Sequence, residues 1–196
     1  MKEILGSILK IACFILVIPI LAAIIIAFQD HVLALPVHKE ACLLWGAGVY
    51  VGLNLFVYDF KKAFEWGKAL IEKMVSFFKS AVYLVPVYSL IIVIVYLIAA
   101  ALGRGNAFQP YFLFILGFTF TMHLVLTAHE IYGSDKSPLK SQYLLVFSAV
   151  LASNLIIISL LLTLTCQYSF VGFVKSIASH TSHFYKSSYK LLFVDS

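Results

Sequence analysis

The sequence predicts an all-α, polytopic transmembrane helix bundle of about five spans. Two observations predict it. Five apolar runs, 11–28, 41–58, 80–102, 110–128 and 143–166, fill just over half of a 196-residue chain. Inside them only His123 titrates near neutral pH. A hydrocarbon core about 30 Å thick takes roughly 20 apolar helical residues to cross, and each run is 18 to 24 residues long. Hydrophobic content of 62% against 12% charge lies outside the range of soluble globular domains.

The first run follows Lys2 and Lys10 and is longer than a secretory h-region of roughly 7–15 residues. No small-x-small cleavage pattern followed by polar sequence comes after it, so it reads as a retained first span. Pro19 removes one backbone hydrogen bond in its middle and is expected to kink it. A loop over 29–40, with Pro36 and two histidines, leads to the second run. There Gly48 and Gly52 make a GxxxG step, with Gly46 beside them, and are expected to pack against another helix. Asn54 lies near the end of this run, and Asp59 closes it beside Lys61 and Lys62, its expected partners.

Segment 61–79 is the best-patterned stretch outside the runs. Lys61, Lys62, Glu65, Lys68, Glu72, Lys73, Ser76 and Lys79 alternate at helical period with Phe64, Leu70, Ile71, Met74, Val75, Phe77 and Phe78. Lys61 with Glu65, and Lys68 with Glu72, are i,i+4 pairs. A helix of this kind suits a cytoplasmic membrane interface, with Trp66 at headgroup depth. Packing on the end of the bundle is equally compatible with the pattern.

In the third run Pro86, between Tyr83 and Tyr88, marks a kink near the start. Gly103 and Gly105 predict a tight turn over 103–109. The fourth run holds His123, with Thr119 and Thr127 one turn away on the same helical face. Three readings of His123 stay open: a structural imidazole satisfied by those hydroxyls, a proton or substrate contact, and a metal ligand. The next histidine, His129, is about 240° away around the helix, which an HExxH zinc motif does not allow. His129 and Glu130 fall at the run's edge and read as solvated. Gly117 and Thr121 form a small-xxx-small step, as do Ser148 and Ala152 in the fifth run, which also carries Asn154 in its middle. Between these runs, 133–138 is turn-rich.

The tail, 167–196, reads as an amphipathic helix on the outer surface. Phe170, Phe173, Val174, Ile177, Phe184 and Tyr185 share a rough stripe, and Lys175, Ser176, Ser179, His180, His183 and Lys186 face away from it. Orientation follows from cations in the connecting segments. Segments 1–10, 59–79 and 129–142 carry nine Lys, while 29–40, 103–109 and 167–196 carry five cations. The bias puts the N-terminus in the cytoplasm. Small size, short loops and a Lys-biased topology point to a bacterial inner membrane.

Several function classes are disfavoured. Net charge is +5, but Arg104 is the one arginine, and no basic face interleaved with aromatics suggests nucleic-acid binding. Cys13, Cys42 and Cys166 form no CxxC and read as packing residues. No Walker loop, dinucleotide fingerprint, GxSxG elbow or HExxH occurs, and no two carboxylates share a run. No cofactor is expected.

One set of segments carries a family likeness. Trp45-Gly-Ala-Gly-Val-Tyr50, Leu55-Phe-Val-Tyr58, Tyr83-Leu-Val-Pro-Val-Tyr88, Gly117-Phe-Thr-Phe-Thr-Met-His123 and Asn154 together resemble the membrane part of bacterial site-2-protease-like metallopeptidases, over roughly 42–165. The resemblance would put the zinc helix near 64–73, where Trp66-Gly-Lys-Ala-Leu-Ile-Glu-Lys73 lacks both ligand histidines. It therefore implies a member that kept the fold and lost the metal, and it assigns no catalytic residue.

The sequence thus predicts a non-enzymatic integral membrane protein. Its expected role is a small subunit or scaffold that associates with the lipid bilayer and with other membrane subunits or further copies of itself. The alternative is a small-molecule or lipid transport component, with a bundle cavity lined by His123, Thr119, Thr127, Asn54 and Asn154. An intramembrane enzyme using His123 comes third.

Overall fold

A computed structural model describes residues 2–56, 60–74, 84–136, 140–166 and 168–193. Among these residues the chain forms seven α-helices and no strand. They are α1 (Lys2–Leu33), α2 (Val37–Phe56), α3 (Lys61–Met74), α4 (Val87–Ala101), α5 (Gly105–Ser134), α6 (Ser141–Thr165) and α7 (Phe170–Phe193). Three stretches are long and apolar enough to cross a membrane: Gly6–Leu33, Gly105–Ser134 and Ser141–Thr165. Helix α4 is apolar but shorter. The end of the expected second span, 57–58, and the start of the third, 80–83, lie outside the described residues, as do Asp59, Tyr83 and the 75–79 end of the expected interfacial helix.

The helices overrun the apolar runs because an apolar run marks membrane depth, whereas a helix ends only where backbone bonding stops. Helix α1 passes through Pro19 unbroken and continues to Leu33. The loop expected over 29–40 therefore shrinks to Ala34, Leu35 and Pro36. Pro36 O accepts from the N–H groups of Lys39 and Glu40 to start α2. The turn expected over 103–109 likewise shrinks to 102–104. Gly103 takes φ +76°, which suits a residue without a Cβ, and α5 starts at Gly105 with Pro110 inside it. Gly133 and Ser134, expected in a turn, still belong to α5. Asp135 follows them, and its Oδ2 accepts from the Tyr143 N–H at 2.7 Å, satisfying an orphan donor in the first turn of α6.

Helix α5 is the hub, packing against α2, α3, α4 and α6. Its contact with α2 is the closest in the molecule's glycine pattern: a Cβ built on Gly46 would lie 1.9 Å from Phe114 O, and one on Gly117 2.1 Å from Leu43 O. The two backbones touch where each lacks a side chain. Gly48 and Gly52 make no such approach, since no described atom comes within 4 Å of a Cβ built there. The seam expected at the GxxxG step runs instead through Gly46, on another face of the same helix. The main core joins Leu43 of α2, Tyr96 of α4, Leu113 of α5, Ile158 of α6, Ala27 of α1 and Phe173 of α7.

The tail helix packs on the bundle. Helix α7 lies lengthwise against α1. Phe173 is fully buried, with its ring 6.1 Å from that of His31. His180 Nε2 lies 3.3 Å from Asp30 Oδ2, and farther along the Tyr185 hydroxyl donates to Leu16 O at 2.8 Å. The expected stripe divides accordingly. Phe173, Ile177 and Phe184 turn inward with Ser176 and His180, and Val174 and Tyr185 stay exposed. At the α6–α7 joint Tyr168 donates to Ser159 Oγ. Burial raises this phenol's pKa, and the hydrogen bond partly offsets the rise.

Candidate functional site

The register of α5 puts Thr119, His123 and Thr127 on one face, and all three are buried. Facing them, α4 supplies Ser89, fully buried, with its Oγ 3.2 Å from Thr119 Oγ1. Helix α3 supplies Phe64, whose ring centroid is 5.9 Å from that of His123 at a 47° tilt. Nearly one turn past Thr127, Glu130 forms an ion pair with Lys68 of α3. A polar column about 16 Å long thus runs down α5 from Ser89 and Thr119 to the Lys68–Glu130 pair.

Helix α3 reaches this column because its apolar face carries Phe64 inward and leaves Trp66 80% exposed. Gly67 permits the approach: a Cβ there would stand 2.8 Å from the Tyr88 ring. Of the two compatible seats for this amphipathic helix, the described part, α3, packs on the bundle. Lys68 bonds across to Glu130 of α5, a partner that the i,i+4 spacing does not predict; the side chain of Glu72 lies outside the described residues. Glu130 is therefore not the solvated end residue expected, whereas its neighbour His129 is exposed.

The threonines do not satisfy the imidazole as expected. Thr119 Oγ1 turns to Ser89 and back to Ile115 O and Leu116 O, at 3.0 and 3.2 Å. Thr127 Oγ1 makes no hydrogen bond among the described residues. Within a helix a hydroxyl on Cβ finds the carbonyl one turn back more readily than a side chain one turn ahead.

The two asparagines have helical neighbours of their own. Asn54 Oδ1 accepts from the Tyr50 hydroxyl at 3.3 Å. Tyr50 is fully buried and shares a small cluster with Phe64, Met122 and Leu126, so Asn54 adjoins the aromatic wall of the column. Asn154 is fully buried, and its Nδ2 donates to Val150 O at 2.9 Å. Ser148, one of the expected packing residues, is buried and donates to Leu144 O, and Ala152 packs partly buried against the main core.

Sequence reasoning missed Ser89, Phe64 and the Lys68–Glu130 pair as parts of one site. Ser89 left a signal, being a small polar residue well inside an apolar run. The ion pair left none, because its members are 62 residues apart. Chemically, an imidazole between hydroxyls can hold or pass a proton or hydrogen-bond a small polar ligand. Among the described residues no three His, Cys, Asp or Glu side chains gather as a metal site. A separate cavity of about 430 Å³ between α5 and α6 includes Asp135, whose carboxylate is already committed to Tyr143.

No family model, no curated protein and no solved structure matches the chain.

Proposed function

We propose that the chain is a five-span, non-enzymatic subunit or scaffold of a larger membrane assembly, seated in a bacterial inner membrane with its N-terminus in the cytoplasm. The seat of α7 supports this reading. This helix lies against the most apolar of the three span-length helices, reaching from the His31 end of α1 back to Leu16, well inside the 11–28 run. Its outward face nevertheless carries Lys175, Ser179, Ser182, His183 and Lys186, all exposed. A lysine facing hydrocarbon at mid-bilayer costs about 2.5–3.5 kcal/mol on insertion scales. Lysines near the ends can reach headgroups, and serine hydroxyls can bond the carbonyl one turn back, but the shorter His183 can do neither. Another membrane subunit laid over that face would cover this polar stripe and satisfy the imidazole.

The test is site-specific photocrosslinking in native membranes. A crosslinker at position 179, 182 or 183 should give discrete protein adducts, and one at Ile15 or Ile18, on the exposed apolar side of α1, should give lipid adducts. Lipid adducts alone at all five positions would remove the subunit reading.

The buried column favours a second reading, a transport component working through His123. It separates from the first by His123→Ala: a scaffold keeps its crosslinks and its assembly, whereas a transport component keeps assembly and loses flux in proteoliposomes.

A further inference from the structure

We propose that the groove between α4 and α5 is a phospholipid site, with one acyl chain along its floor and the phosphate at Arg104. The groove is about 300 Å³ and is lined by apolar and aromatic side chains, among them Ile92, Val95, Tyr96, Ala99, Phe108 and Phe112. That volume is at the low end of small-molecule sites, roughly 300–1,000 Å³. Tyr96 and Phe112 form a firm floor, their rings stacked at 4.3 Å. The rim is open: Val95 and Phe108 are 58% and 47% exposed. Along a chain with membrane-spanning helices, an open apolar groove of this kind is filled by hydrocarbon.

The headgroup end is fixed by the backbone. Arg104 N–H donates to Ala99 O at 3.0 Å, and Arg104 O accepts from Phe108 N–H at 3.3 Å. Ala99 and Phe108 both line the groove, so the one arginine of the sequence is tied to its end. Gly103, at φ +76°, makes the turn that brings it there. Arg104 is exposed and forms no ion pair among the described residues. A guanidinium is the side chain best suited to grip phosphate through two parallel hydrogen bonds. Helix α5 starts at the next residue, and its orphan N–H groups add positive potential at the same end.

Neither half is a site alone. One exposed arginine holds free phosphate weakly in water, and an apolar groove does not distinguish one lipid from another. Joined end to end they match an amphiphile with a phosphate head. The proposal stands apart from the subunit reading of α7, since it uses a different pair of helices.

The test uses the full-length chain in mild detergent, titrated with phosphatidylglycerol, with diacylglycerol of the same chains, with oleate and with inorganic phosphate. Bound lipid is read by native mass spectrometry. Phosphatidylglycerol should be retained about tenfold better than diacylglycerol, the worth of one charge-assisted contact. Arg104→Gln should erase that preference with the helical circular dichroism unchanged, and Arg104→Lys should restore part of it. Ala99→Phe fills the groove and should lower retention of both lipids; Val95→Phe replaces it if that variant loses helicity. Equal retention of the two lipids, survival of the preference in Arg104→Gln, oleate binding as well as phosphatidylglycerol, or displacement by equimolar inorganic phosphate would each overturn the proposal.

Discussion

Two glycines show how much a single missing side chain decides. Gly46 and Gly117 face backbone carbonyls that a Cβ would overlap, so Gly46→Ala or Gly117→Ala must push α2 away from α5. Each should lower stability by about 1–3 kcal/mol, the usual cost of overpacking. Gly48→Ala and Gly52→Ala meet open space and should be neutral or stabilising, by up to about 1 kcal/mol from helix propensity. Thermal denaturation of the four variants in one detergent checks the contrast; equal loss in all four would remove the close approach as its cause. The GxxxG spacing was legible in the sequence, but its bearing was not. Spacing along a helix says which residues share a face and nothing about which face meets a neighbour. His123 was legible for the opposite reason, since one imidazole in an apolar run is conspicuous wherever it points.

Among the elements, α3 tests what an ion pair contributes. Its described contacts include Phe64 on His123 and the Lys68–Glu130 pair, both with the hub, and Gly67 against Tyr88 of α4. Both members of the pair keep roughly a third of their side-chain surface, 27% and 34%, so its net worth is at most about 1 kcal/mol. Lys68→Ala should therefore barely move the melting temperature. It should raise amide hydrogen exchange in α3 relative to α5, and the double swap Lys68→Glu with Glu130→Lys should reverse that rise. Unchanged exchange in α3 would show that the Lys68–Glu130 pair does not hold the helix. The helical pattern of 61–74 was readable because period alone encodes it. The seat of α3 was not, because its partners come from α4 and α5. The same division explains the tail: amphipathicity forecast α7, and only the fold shows α1 against its inward face.

For the whole molecule, the all-α class was legible because apolar runs of membrane length leave the backbone few other ways to satisfy its hydrogen bonds. Orientation can be tested directly. With the native cysteines replaced, single cysteines at Lys62 and Arg104 should react with an impermeant maleimide from opposite sides of sealed vesicles, Lys62 from the cytoplasmic side. Labelling from the same side would contradict the proposed five-span topology. The joint between α5 and α6 adds a point about timing. Lys140, at φ 51°, donates to Tyr132 O and Asp135 O and rests 4.6 Å above the Tyr132 ring. Lys68 is likewise engaged with Glu130. Both lysines count toward the bias that sorts a nascent chain across a membrane, and at that stage neither has met its partner. Folding then turns them from address labels into internal fastenings. On the proposed topology, a substitution at either lysine acts twice, first on the sorting of the chain and later on packing.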